Sequence, residues 1–169
     1  MKPKAHHFEI RISTAGLSNE LSAWWFLKVM CGLLLVTNQL LSMGGIDIPY
    51  SIAAPLPLSQ LLVLFGGAIF LTHFCLLKRE NRRLNQPAHL VTDDGLFPWI
   101  RHPMYAGEMM LDIGLGSFAL HPASLAVLAL ALFALYKQAQ HEDRSLSRHF
   151  GNEFNDWAQH TGLLVPHVR

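Results

Sequence analysis

Two apolar runs, Ala23 to Met43 and Leu58 to Leu77, hold between them a single charged side chain, Lys28. At about 1.5 Å per helical residue, each run covers the roughly 30 Å hydrocarbon core of a bilayer, so both read as membrane-spanning helices. Nothing else in the chain limits its fold as much, because a segment in lipid must satisfy its own backbone hydrogen bonds, and a helix does so. Composition agrees: 51% of residues are apolar and 15% charged, against about 25% charged in a soluble protein. The 169 residues suit one domain.

The placement of charge gives an orientation. Lys2, Lys4 and Arg11 precede the first span; Lys78, Arg79, Arg82, Arg83 and Arg101 follow the second; Lys137, Arg144, Arg148 and Arg169 lie toward the C-terminus. No Lys or Arg falls between Met43 and Leu77, or in the turn at His121-Pro122. With an even number of spans, the positive-inside rule puts both termini and the middle loop in the cytoplasm, as in a multi-pass protein of a bacterial inner membrane. The net charge of +1 says little by itself, but the lack of a uniform basic face and of a nucleic-acid motif argues against a nucleic-acid partner. Cys31 and Cys75 lie within the apolar runs and are expected to be buried thiols without chemistry. The first run is longer than a signal-peptide h-region, so it is expected to be a retained anchor.

Taken in order, residues 1–22 form a polar N-terminal segment whose Phe8–Ile12 alternation suits a short strand or an interfacial stretch. Trp24 and Trp25 open the first span at the headgroup level, and Lys28 is expected to snorkel back toward the cytoplasm. Gly44-Gly45 ends that helix, and the proline-rich stretch Ile46–Pro57 forms an outer connection. In the second span Gly66-Gly67 permits close backbone approach, and His73 is expected to hold a structural hydrogen bond. The helix should continue into Lys78–Arg83, followed by an extended piece and an Asp-Gly turn at Asp94-Gly95. Met104 to Leu120 is apolar apart from Glu108 and Asp112, which share a face and should therefore point into the protein. After His121-Pro122 the chain returns through Tyr136 and extends to Phe150, with Glu142, Leu146 and Phe150 on one side and Asp143 beside them. Gly151 suits the end of that helix and Asn152 the N-cap of a last short one carrying Phe154, Trp157 and Ala158 on its apolar side.

These readings describe an all-α integral membrane protein of about four transmembrane helices, the last two a tilted hairpin, with a cytoplasmic C-terminal helical extension. It is one domain: 1–22 an N-terminal cytoplasmic segment, 23–77 the first two spans, 78–103 a cytoplasmic loop, 104–150 the hairpin and its extension, and 151–169 an interfacial helix.

The densest polar chemistry is the heptapeptide Arg101-His102-Pro103-Met104-Tyr105-Ala106-Gly107. Pro103 suits the first position of a helix, which would begin at the membrane surface with its unpaired N–H groups beside Arg101. Such a helix start can receive a carboxylate or phosphate; the plainer reading is a basic interfacial anchor.

Two blocks together resemble the isoprenylcysteine carboxyl methyltransferase-like membrane methyltransferases, to which the phospholipid N-methyltransferases are also similar. The first runs from Gly95 through an aromatic stretch to Arg-His-Pro-x-Tyr-x-Gly, ending at Gly107. The second comprises Glu142, Asp143, Leu146, Phe150, Gly151, Glu153, Phe154 and a late Pro166. The resemblance covers roughly the C-terminal half of the chain. It implies methyl transfer from S-adenosylmethionine at the cytoplasmic face to a lipophilic or lipidated acceptor entering from the bilayer. By the same token it implies that His102, Pro103, Met104, Tyr105, Gly107 and Glu142 bind the cofactor and that Arg101, Glu142 and Asp143 serve catalysis. Two departures bear on the acceptor. Where family members commonly have two glutamates this chain has Glu142-Asp143, and where prenylcysteine-methylating members tend to have an arginine it reads Tyr136-Lys137-Gln138-Ala139. Lys137 lacks the planar fork that suits a carboxylate.

A reading from another class is a small transport subunit or scaffold that uses the Glu108/Asp112 face as a cation or proton path. A metal site from His102, His141 and His149 has the least support, since only His141 and His149 share a helix, eight residues apart.

Overall fold

The computed structural model describes residues 22–46, 56–81, 88–118 and 120–167. The Phe8–Ile12 alternation, most of the outer connection, and Arg82 and Arg83 lie outside the described residues. Five helices follow in order: α1 Ala23–Met43, α2 Leu56–Glu80, α3 Pro103–Ser117, α4 Pro122–Phe150 and α5 Asn152–Ala158. Among the described residues there is no strand beyond an isolated parallel bridge between Ile100 and Gly162.

The helix ends follow from local chemistry. The Ser22 side chain accepts from the Trp25 N–H and starts α1, and Gly44 closes it. α4 opens on His121 and Ser124, each side chain bonded to the other residue's backbone N–H, with Pro122 just inside the helix. His121 Nε2 also lies 2.9 Å from Asn38 Oδ1, tying the start of α4 to the C-terminal part of α1. Gly151 has φ +58 and ψ −125, a conformation that side chains disfavour, and the chain turns there from α4 into α5. Gly151 is thus itself the junction, and Asn152 is the first residue of α5 rather than its cap.

Among the described residues, three helices are long and apolar enough to cross a membrane: α1, residues 57–80 of α2, and α4. Leu58, Leu61, Leu64, Phe65 and Leu71 of α2 are exposed, which suits lipid and not water. α3 has 15 residues, about 22 Å of helix, short of the roughly 30 Å core. The expected hairpin is therefore present but unequal. Its first arm is the short α3, while its second runs unbroken for 29 residues because nothing between Ala123 and Phe150 interrupts helical hydrogen bonding.

α3 is sheathed by α2 along a seam of small residues. A Cβ placed on Gly66 would lie 2.5 Å from the Gly107 carbonyl oxygen, and one on Gly107 would lie 2.7 Å from that of Gly66. Farther along, a Cβ on Gly114 would lie 2.9 Å from the Ser59 carbonyl, and Ser59 and Ser117 hydroxyls meet at 3.0 Å. Such close backbones are how helices pack where lipid supplies no hydrophobic drive. On the opposite side α1 and α4 meet α3 around Cys31, Leu35, Leu115 and Ala131.

His73 and Lys28, polar residues inside the bundle, are matched by partners. His73 Nε2 accepts from the Leu96 N–H at 2.9 Å, so its proton is on Nδ1, which donates to the Ile69 carbonyl at 2.7 Å. That bond holds the loop before α3, where Gly95 turns with φ +59 against the imidazole. Asp112 is 3% exposed and Glu108 faces α1, as their spacing required. Lys28 does not snorkel: it is 7% exposed and gives hydrogen bonds to both oxygens of Glu108 at 2.7 Å. A carboxylate within reach inside the bundle outweighs the pull of the headgroups.

Candidate active site

Three separate stretches build the site. The piece entering α3 runs beside the chain that follows α5: Gly162 N–H donates to the Trp99 carbonyl at 3.0 Å, Arg101 N–H to Gly162 at 2.8 Å, and His102 N–H to Leu163 at 3.1 Å. This clamp fixes Arg101 and His102 before the helix begins. Pro103 then supplies the first helical residue, fully buried, and His102 makes no side-chain cap on α3. The N–H groups of the first turn are left uncapped by the side chain that precedes them.

The third stretch is the polar end of α4. Asp143 accepts from Arg101 Nε at 3.0 Å through one oxygen and lies 2.7 Å from His102 Nε2 through the other. The Arg101 fork also donates to the carbonyls of Ala158, at 2.8 Å, and Thr161. Arg101 is therefore spent on joining α3, α4 and the chain after α5, and Asp143 has both oxygens engaged. Glu142 is the freer acid. Its Oε1 accepts from the Tyr105 hydroxyl and from Gln138 Nε2 at 2.8 Å, whereas Oε2 is only within 3.6 Å of His102 Nδ1. The Glu142 side chain is 38% exposed, against 20% for Asp143.

Tyr105 lies between these groups. Its ring stacks on His102, centroids 5.6 Å apart, and Lys28 Nζ is 5.0 Å from its centroid. A cavity of about 420 Å³ opens nearby, lined by Tyr136 and by residues 162–167.

The residues singled out from sequence divide into two sets. Arg101, His102, Tyr105, Glu142 and Asp143 come together, although the acids lie about forty residues beyond the helix start. Pro103 shapes that start, and Met104 sits part-exposed in its first turn. Gly107 is turned away from the acids and packs against Gly66, Ile69 and Phe70 of α2. Lys137 is likewise apart, with its Nζ 5.5 Å from the Phe133 ring centroid. Sequence reasoning missed the supports: Ser22, which donates to Gln138; Lys28; Gln138 itself; and the Thr161–Leu163 backbone. Two of these left a trace: Lys28 as the lone charge of the apolar runs, and Gln138 one helical turn before Glu142.

Fold and site together define a helical membrane protein with a polar centre where a helix start meets paired acids on a long neighbouring helix. The chain belongs to the isoprenylcysteine carboxyl methyltransferase family, whose sequence model matches residues 61–148. It is 27% identical over 81 residues to a protein-S-isoprenylcysteine O-methyltransferase of Tribolium castaneum, covering 47% of this chain and 29% of that one. It is 24% identical over 112 residues to protein-S-isoprenylcysteine O-methyltransferase B of Arabidopsis thaliana, covering 66% and 53%. Similarity also extends to the nickel-cobalt-cadmium resistance protein NccN of Alcaligenes xylosoxydans xylosoxydans, 33% identical over 96 residues, covering 56% and 43%. The chain thus spans between 29% and 53% of the length of these relatives. No solved structure matches it.

Proposed function

We propose that this protein transfers a methyl group from S-adenosylmethionine to a lipophilic acceptor held in the bilayer, at the cytoplasmic face. The observation that carries the reading is the joining of the α3 start to the α4 acids: His102 to Asp143 at 2.7 Å and Tyr105 to Glu142. Both sides come from blocks that mark the family, and both acids fall inside the matched residues 61–148.

The residues present fit that cofactor. The uncapped first turn of α3 suits its carboxylate, Glu142 has an oxygen free for its ammonium or ribose hydroxyls, and the Tyr105 ring offers a π face. The Trp157 indole N–H is buried on α5 with no acceptor among the described residues, a donor left open beside the Ala158 carbonyl that Arg101 holds. When bound, S-adenosylmethionine supplies a methyl group on a sulfonium, open to in-line attack by a nucleophile. The protein's part is alignment and exclusion of water. Asp143 and Arg101 keep α3 and α4 in register; Glu142 faces the ligand. A carboxylate acceptor is already ionised near neutral pH, whereas an amine must lose a proton, for which Glu142 is the exposed acid.

The basic residues of 78–103 and of the C-terminal end support a cytoplasmic site and cytoplasmic termini; we read the chain as a multi-pass, single-domain protein of a bacterial inner membrane. A transport role would need the Glu108/Asp112 face open, yet Lys28 occupies both oxygens of Glu108.

The test is transfer of labelled methyl from S-adenosylmethionine, by protein reconstituted in vesicles, to an S-prenylated N-acetylcysteine and separately to an aminophospholipid. Label in the organic phase that alkali releases as methanol marks a carboxylate acceptor; alkali-stable label marks an amine. Neither product, with cofactor binding also absent, would overturn the proposal.

A further inference from the structure

The structure assigns Lys28 a task in the site itself: we infer that it is a positioning residue, its ammonium set against the Tyr105 ring by Glu108 so that Tyr105 presents its hydroxyl to Glu142. The inference rests on the reading of the site given above. It adds a helix that the family match leaves out, because residues 61–148 begin after α1.

Lys28 is the only charged residue of α1 and is buried. Both hydrogen bonds to Glu108 are 2.7 Å, so the ammonium cannot wander as a surface lysine does. It is held 5.0 Å from the centre of a ring that also stacks on His102. The hydroxyl of that ring donates to Glu142 Oε1, the oxygen that also takes the Gln138 amide. Gln138 in turn accepts from Ser22, the residue that caps α1. α1 therefore reaches Glu142, the more exposed of the two site acids, by two routes, through Lys28 and Tyr105 and through Ser22 and Gln138.

Joining α1 to α3 does not by itself require charge. A buried ion pair can be exchanged for apolar residues of similar size with little loss of stability, whereas a cation beside a tyrosine ring in a desolvated place fixes the ring electrostatically. The pair is thus better explained by what it does to Tyr105 than by what it does for the bundle.

The test uses the full chain in detergent and reads S-adenosylmethionine affinity by calorimetry. Replacing the pair together, Lys28→Met with Glu108→Gln, leaves no orphaned charge. This variant is expected to keep the thermal unfolding of the parent but to bind about thirtyfold more weakly, the size of a desolvated cation–π contact. Lys28→Arg, which keeps a cation near the ring, should bind within about threefold of the parent. In a Tyr105→Leu background the double replacement should change affinity by less than about twofold, since its route to Glu142 is gone. An undiminished effect in that background, or parental affinity in the double variant, would overturn the inference. A second readout does not depend on the cofactor: with 3-fluorotyrosine incorporated, the ¹⁹F resonance lost in Tyr105→Phe should shift in the double variant. Failure of the parent to bind S-adenosylmethionine would strike the proposed function, whereas an unmoved Tyr105 resonance would strike the role of Lys28.

Discussion

The seam between α2 and α3 places the site, and Gly66 tests this. A methyl added there would lie 2.5 Å from the Gly107 carbonyl oxygen and 2.6 Å from the Leu111 nitrogen, both backbone atoms that cannot turn aside. Ordinary contact begins near 3.4 Å, so Gly66→Ala must move α3 from α2 by about 0.9 Å. Overpacking of this kind costs about 1–3 kcal/mol. If α3 carries that shift to its start, it is driven toward α4, and the 2.7 Å contact of His102 with Asp143 is forced out of its geometry. Cofactor affinity should then fall about tenfold although no ligand contact has been touched. Gly67→Ala is the control, because a Cβ at Gly67 meets nothing within 4 Å; its unfolding temperature should be unchanged or slightly raised. The assay is thermal unfolding of detergent-purified protein beside calorimetric titration with S-adenosylmethionine. Equal behaviour of the two alanine variants would refute the claim that close backbone contact along this seam sets the position of α3.

Lys28→Met alone should destabilise by about 3–5 kcal/mol because it strands a buried carboxylate, and adding Glu108→Gln should return the unfolding temperature to that of the parent; thermal unfolding of the two variants checks it. Arg101→Lys cannot serve Asp143, Ala158 and Thr161 at once, and should weaken S-adenosylmethionine binding by about tenfold or more while leaving helix content by circular dichroism intact. Gly151→Ala forces a side chain into φ +58, ψ −125 and should cost about 1–3 kcal/mol, with earlier proteolytic release of α5 than in the parent. Lys137→Ala should leave cofactor affinity unchanged, since its ammonium lies by Phe133; a loss in titration would place it in the site.

What the sequence made legible depended on how local the physics is. α1 runs over the same residues, Ala23–Met43, as the apolar run because lipid crossing is decided residue by residue and Ser22 and Gly44 mark its ends. The start of α3 was legible from Pro103, and the inward aspect of Glu108 and Asp112 from the cost of acids in lipid. The partner of Lys28 was not, because Glu108 lies eighty residues away and a lone lysine near a helix end has an equally good local option in snorkelling. The clamp of residues 99–102 on 162–163 was hidden for another reason: it is made by backbone groups, which leave no pattern in side chains. Arg101 and Asp143 could be brought together only through the resemblance. Periodicity along α4 shows which residues share its face but not which helix that face meets.

The central claim is that the α3 start and Glu142 form one S-adenosylmethionine site. Calorimetric titration of the detergent-purified protein and of its Glu142→Ala variant with S-adenosylmethionine and S-adenosylhomocysteine tests it most directly. The account predicts saturable binding at one site for both ligands in the parent, and loss of that binding in Glu142→Ala with thermal unfolding retained. Absence of binding by the parent in both detergent and lipid, or equal affinity in the variant, would contradict it.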